Sequence, residues 1–226
     1  DDNTVTLKSG DTVTYDQLIV AAGIQLDWDK IEGLEGNVGK NGICSNYTFE
    51  TVESTWQFLK DFRGKRAIFT MPPGAIKCAG APQKIMWLAD HWLRKQGRRD
   101  DTEIVFVAGG AAIFGITKYR RAPEKLVDER NIKTMFRNEL VKVDADGRKA
   151  TFKNLDTGET TTLDYDLLHV VPPQSAPDAD TSPLLAPQAA GVIHSRHRVQ
   201  LCALLSPPSY TLPPLSALSR PLRPPL

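Results

Sequence analysis

Lys65-Arg-Ala-Ile-Phe-Thr70, Met71-Pro-Pro-Gly-Ala-Ile-Lys-Cys78, Ile85-Met-Trp-Leu-Ala-Asp-His-Trp-Leu93 and Glu103-Ile-Val-Phe-Val-Ala108 follow one another along the chain. An apolar strand, a turn, a helix-spaced segment and a second apolar strand predict one crossover of a parallel sheet. The helix is expected over 82–96, with Ile85, Leu88, Ala89 and Trp92 on its apolar face. Pro82 falls in the first turn, where its missing N–H is no loss. Upstream, Thr48 can cap a helix running to Phe62, with Val52, Trp56, Leu59 and Phe62 on one side. Downstream, a helical stretch from about 117 to 130 precedes a strand at Ile132–Phe136. Pro123 would cost that stretch about 3 kcal/mol as an interior residue, and a helix restarting with Pro123 at its first position avoids this. The expected fold class is therefore α/β, a Rossmann-like domain with a parallel sheet.

A repeat flanks this series. Residues 4–23 read as a hairpin around Ser9-Gly10-Asp11 followed by a buried strand, Leu18 to Ala22, ending at Gly23. Residues 149–173 repeat the plan, with a turn at Asp156-Thr-Gly158 and an apolar strand ending at Pro172-Pro173. Tyr15-Asp16 and Tyr165-Asp166 sit at equivalent places. Two copies of one supersecondary plan, about a domain apart, suggest two related domains.

Cys78 is the first candidate for chemistry. Ligands of parallel sheets sit at the carboxyl ends of strands, where this residue falls. It precedes a helix start, with Lys77 beside it, a setting that favours the nucleophilic thiolate. The alternative is a small buried residue in a tight turn. Two nucleotide motifs fail: Met71-Pro-Pro-Gly74 stands where a nicotinamide domain needs a glycine-rich turn, and Gly110–Gly115 lacks the Lys-Ser/Thr of a phosphate loop.

Composition narrows the class. The chain has 226 residues, 41% of them apolar, and a net charge of +1, which gives no global pull toward nucleic acid. No apolar run approaches the eighteen or so residues of a membrane span. Cys44, Cys78 and Cys202 lack metal or disulfide-scaffold spacing, so no metal is expected. Twelve of the sixteen prolines lie at or beyond Pro172, and no Asp or Glu follows Asp180. Residues 181–226 are thus expected to be a disordered proline-rich tail. A metal role for His194-Ser-Arg-His197 is disfavoured by its neighbouring arginines.

The chain resembles the sulfide:quinone oxidoreductases, particularly the mitochondrial type, within the flavoproteins that carry two dinucleotide-binding domains. The resemblance runs from about residue 11 to 183. It rests on Tyr15-Asp16-Gln-Leu-Ile-Val-Ala-Ala-Gly-Ile24, Ser45-Asn-Tyr47, Lys77-Cys-Ala-Gly-Ala-Pro-Gln-Lys-Ile-Met86, Ala112-Ile-Phe-Gly115 with Lys118-Tyr119, and Leu168-His-Val-Val-Pro-Pro173.

The resemblance implies FAD as cofactor, with Asp16, Ala21, Ala22 and Gly23 near it. It implies that Cys78 is one of two redox cysteines, carrying sulfide sulfur as a persulfide while electrons pass through FAD to ubiquinone. The sulfur then goes to a small acceptor. His169, Pro172 and Pro173 match a strand ending near the flavin ring and quinone pocket, although a packed strand histidine is the competing reading of His169. Cys44 reads as structural, and Lys77 and Lys84 as solvated lysines that could steer hydrosulfide. The family's place is the mitochondrial inner membrane, as a peripheral protein.

The domain plan that follows has residues 1–25 as hairpin and return strand of the FAD domain and 26–45 as a connection. Residues 46–165 form the Rossmann-like domain with the cysteine loop, and 166–180 a return toward the FAD domain. The family's opening glycine-rich turn, second redox cysteine and membrane helices have no match, and Cys202 lacks the neighbours to stand in. The expectation is an incomplete copy, inactive as it stands, that binds FAD weakly or not at all. The alternatives are an NADH- or thiol-linked flavoprotein relative, and a non-catalytic module with a proline-rich docking tail.

Overall fold

Residues 3–18 and 23–177 are described by the structure, a computed structural model. The first hairpin pairs β1 (Thr4–Thr6) with β2 (Thr12–Thr14), and β3 (Gln25–Leu26) follows. The alternating series then runs β4 (Ile43–Cys44), α1 (Phe49–Lys60), β5 (Arg66–Met71), α2 (Ala81–Lys95), β6 (Glu103–Ala108), α3 (Thr117–Glu129) and β7 (Ile132–Phe136). Next come β8 (Asn138–Asp144), β9 (Lys149–Asn154) and β10 (Thr160–Asp164), then β11 (Leu167–His169) and β12 (Gln174–Ser175).

The centre is a five-stranded sheet of order β4-β11-β5-β6-β7, every pair parallel. Its middle strands are continuous apolar runs because both faces are covered. Ala67, Phe69, Ile104 and Phe106 point into a core shared with Ile85, Met86, Ala89 and Leu93 of α2. Ile68, Val105 and Val107 point the other way, toward Leu140, Val143 and Phe152 of the antiparallel β8-β9-β10 layer. The sheet draws on both sides of the expected 46–165 unit. Strand β11, within 166–180, lies between β4 and β5, and β12 pairs with β3. The second repeat copy thus has hairpin and strand as read. In the first copy the hairpin is present, while most of the 18–22 strand and all of the 181–226 tail lie outside the described residues. The Tyr-Asp motif has a clear use in the second copy, where the Asp166 carboxylate accepts the amides of Lys65 and Arg66 at 2.6 and 3.0 Å. That fastens β11 to the start of β5.

Three sequence expectations need correction. Thr48 does cap α1, its Oγ1 accepting from Thr51 N at 3.2 Å, but Val52 and Trp56 are exposed and Thr55 is buried with Leu59 and Phe62. On α2, Leu88 is exposed, and the inner face is Ile85, Met86, Ala89, Asp90 and Leu93. Trp56 and Trp92 instead meet edge to face at 4.9 Å, roofing the seam between α1 and α2. The third correction is Pro123, which sits inside a continuous α3 rather than at a new helix start. A helix exposed along most of its length tolerates the lost hydrogen bond by leaving the Tyr119 carbonyl to water. Pro123→Ala should therefore raise the free energy of unfolding by about 2 kcal/mol, the interior-proline cost less the entropy proline removes from the unfolded chain. Urea unfolding checks this, and an unchanged midpoint would show that α3 frays before the sheet opens.

Candidate active site

Three loops meet at the carboxyl ends of the central strands. β5 leads into Pro72-Pro73-Gly74 and the Cys78 loop, β4 into Ser45-Asn46-Tyr47, and β11 into Val170-Val171-Pro172-Pro173. The β5 turn is tied down by Gly109 N donating to Met71 O at 2.9 Å. A Cβ at Gly109 would stand 2.4 Å from Pro73 N, so only glycine allows this approach. The space where a dinucleotide pyrophosphate would contact a Rossmann turn is thus filled by proline, which also lacks the amide donors. Gly110–Gly115 is likewise a packing turn, with Ile113 buried and its carbonyl accepting from Gln83 Nε2 at 3.2 Å.

Cys78 is exposed, with a left-handed backbone (φ 61°) uncommon for a residue with a Cβ. That conformation costs about 1–3 kcal/mol, which surrounding structure must offset. Its carbonyl accepts Ala81 N at 2.8 Å, opening α2 with Pro82 in the first turn as expected. Lys84 Nζ, one helical turn inside α2, donates to Cys78 Sγ at 3.6 Å. The cation at the sulfur is therefore Lys84. Lys77, its sequence neighbour, turns its amide to Gln174 Oε1 at 2.6 Å. That leaves Gln174 Nε2 buried without a partner, as is the phenolic oxygen of Tyr47.

The remaining candidates separate. Cys44 is fully buried, and burial pushes its thiol up to about 12, which fits the structural reading. His169 is also buried, stacked on Phe69, with Nε2 accepting Asn46 N at 3.2 Å and Nδ1 without a partner. Burial pushes this histidine down to about 3, so it is a neutral acceptor bracing the β4 loop. Pro172 is buried, and Pro173 accepts Asp27 N at 2.9 Å. The gap bordered by Pro173, Thr70 and Leu140 holds about 20 Å³, room for a single water rather than a quinone head group. Asp16 and Gly23 are exposed, the latter with φ 84° and open space around its Cα; Ala21 and Ala22 lie outside the described residues, as do Cys202, His194 and His197. Among the described residues no cluster of His, Cys, Asp and Glu is arranged to hold a metal, and no helix is long and apolar enough to cross a membrane.

Sequence reasoning missed Gln174 and assigned no role to Tyr47. Gln174 follows the Pro172-Pro173 turn, the only local signal that its side chain returns toward the cysteine loop. A flavin fits this site in part. Two orphaned donors lie around the Cys78 loop: Gln174 Nε2, at the start of β12, suits the carbonyl-rich edge of an isoalloxazine ring, and Tyr47 Oη stands on the loop after β4. The β5 turn offers nothing to its pyrophosphate.

A parallel sheet with helices on one face and an antiparallel layer on the other is a Rossmann-like fold, with Cys78 in the loop at the carboxyl edge of that sheet. The sulfide:quinone oxidoreductase structure from the hyperthermophilic bacterium Aquifex aeolicus superposes with a TM-score of 0.65 at 22% identity, over 82% of this chain and 42% of that one. The chain is a homologue of the mitochondrial sulfide:quinone oxidoreductases. It is 39% identical to that of Dictyostelium discoideum over 195 residues (86% of this chain, 43% of the relative). With that of Mus musculus it shares 43% over 179 residues (79% of this chain, 40% of the relative). It thus spans about two fifths of the length of these relatives. No protein-family model matches it.

Proposed function

We propose that this chain carries the sulfur-accepting part of a mitochondrial sulfide:quinone oxidoreductase, with Cys78 as the residue that takes sulfur from hydrosulfide and passes it to a small acceptor. The observation that carries this reading is the exposed Cys78 sulfur beside the Lys84 ammonium, at the ligand-binding edge of the sheet. Hydrosulfide is an anion, and Lys84 gives it an electrostatic reason to approach the cysteine. Attack on a disulfide that includes Cys78 forms a new bond to Sγ and expels the other sulfur with its electron pair, leaving a persulfide. When bound, FAD supplies the sink for the two electrons that sulfide oxidation releases and relays them to ubiquinone. Gln174 would face its ring, and Gly23 with Asp16 would stand on the nucleotide side. In this proposal residues 1–25 belong to the FAD domain and the unit around 46–165 to the cysteine-bearing domain, at the mitochondrial inner membrane.

Intact-mass measurement of the full chain after hydrosulfide and a disulfide oxidant tests the reading. A gain of about 32 Da, one sulfur atom, should be present in the wild type and abolished in Cys78→Ser. An adduct that survives Cys78→Ser would overturn the assignment.

A further inference from the structure

We infer that Tyr47 is the hydrogen-bond donor that holds the outer sulfur of a persulfide on Cys78, an assignment that rests on the reading above. Tyr47 Oη is buried and makes no hydrogen bond. A buried phenol without a partner is costly unless a ligand satisfies it. Tyr47 leaves the carboxyl end of β4, and Cys78 follows the carboxyl end of β5, with only β11 between those strands.

Four contacts fix the loop that presents it. Asn46 N donates to the fully buried His169, Tyr47 N donates to Ser45 Oγ at 3.2 Å, and Thr51 Oγ1 donates to Ser45 O at 3.0 Å. Thr48, the next residue, is held in turn as the cap of α1. The phenol is thus mounted on a rigid bracket rather than a free loop. Burial, with the neighbouring Cys78 charge adding to it, pushes Tyr47 up to about 12, so it keeps its proton and remains a donor at physiological pH. Lys84 reaches the inner sulfur. The two donors together can hold both sulfurs of the persulfide anion, an arrangement that favours persulfide over simple thiol.

The test runs on the full chain with Cys202→Ser as background, so that Cys78 is the reactive thiol examined. A 5-thio-2-nitrobenzoate mixed disulfide is formed on Cys78. Hydrosulfide then attacks Sγ, the S–S bond breaks, and thionitrobenzoate leaves with the electron pair while Cys78 retains S–SH. Release is followed by absorbance, and the product by mass. Tyr47→Phe should slow release and shorten the persulfide's lifetime, each about tenfold, the scale of one hydrogen bond to a charged group. Its rate of alkylation by neutral iodoacetamide and its thermal midpoint should stay at wild-type values. Incorporation of 3-fluorotyrosine at position 47, a stronger donor of nearly the same shape, should lengthen the lifetime, and it decides the matter if Tyr47→Phe fails to fold. Equal lifetimes in all three proteins would overturn the role of Tyr47 alone, as would a parallel loss of alkylation, which marks a merely structural effect. A wild type that forms no persulfide would overturn both this inference and the reading beneath it.

Discussion

Replacing Asp90 with Asn should lower the free energy of unfolding by about 3–5 kcal/mol, the cost of breaking a buried ion pair from one side. Asp90 lies on the inner face of α2 and is fully buried. Its carboxylate accepts Arg94 Nε at 3.0 Å, Arg99 Nε at 2.7 Å and an Arg130 amino group at 2.7 Å. Burial pushes the Asp90 carboxyl up, but the hydrogen bonds from Arg94, Arg130 and Arg99 outweigh it and hold the group below the usual carboxylate range. Arg99 is itself buried and also donates to the carbonyls of Thr102, Arg130 and Asn131. The cluster therefore ties the end of α2 to the loop before β6 and to the end of α3. Asparagine keeps one acceptor and removes the charge, leaving the Arg99 guanidinium buried without a counter-ion. Denaturant unfolding should show the midpoint falling at unchanged slope, with the loss persisting in high salt because the pair is shielded from solvent. A loss under about 1 kcal/mol would mean that water enters the cluster and the pair behaves as a surface one.

That carboxylate also shows where sequence reading stops. Strand β6 was legible to the residue because Glu103-Ile-Val-Phe-Val-Ala108, short and β-branched, suits a strand buried on both faces, and β7 followed as the next strand of the alternating series. The helix faces were not. Spacing and hydrophobicity put Leu88 inward with Ile85, Ala89 and Trp92, whereas Leu88 is exposed and the buried face takes in Asp90, whose partners Arg99 and Arg130 lie beyond the helix. No local pattern announces a charge neutralised from nine and forty residues away. The site divides in the same way. The position of Cys78 followed from the order of strand, small-residue turn and helix. Its left-handed backbone did not, since a cysteine carries no sign of it. Gln174 meets the Lys77 amide across ninety-seven residues, a contact made only when β11 inserts beside β5.

Between pH 6.5 and 4.5 the wild type should lose about 2 kcal/mol of stability that His169→Gln retains, the slope approaching about 1.4 kcal/mol per pH unit once the unfolded histidine is fully charged. Burial pushes His169 from the ordinary value of 6.5 down to about 3. Below 6.5 the unfolded chain takes up this proton while the folded chain refuses it, so acid favours unfolding. The contribution is complete above 6.5 and is lost as pH falls toward about 3. Asp27, Asp90 and Glu103, all held below their ordinary values, also weaken the fold in acid. Their losses begin near 4.5 and below, which leaves the upper window to the histidine. Glutamine suits the comparison because its amide oxygen can still accept Asn46 N, the bond that braces the β4 loop. Urea midpoints at about pH 7, 6, 5 and 4.5 would show the wild type losing stability relative to His169→Gln as pH falls, and parallel curves would show that His169 accepts its proton in place. Because that imidazole braces Asn46 and with it the loop that carries Tyr47, acid opening at His169 should, on the role proposed for Tyr47, withdraw the phenol from a Cys78 persulfide before the sheet unfolds. Persulfide lifetime should then fall at a higher pH than the loss of secondary structure. Simultaneous loss of the two would mean that the β4 loop and the sheet open as one unit.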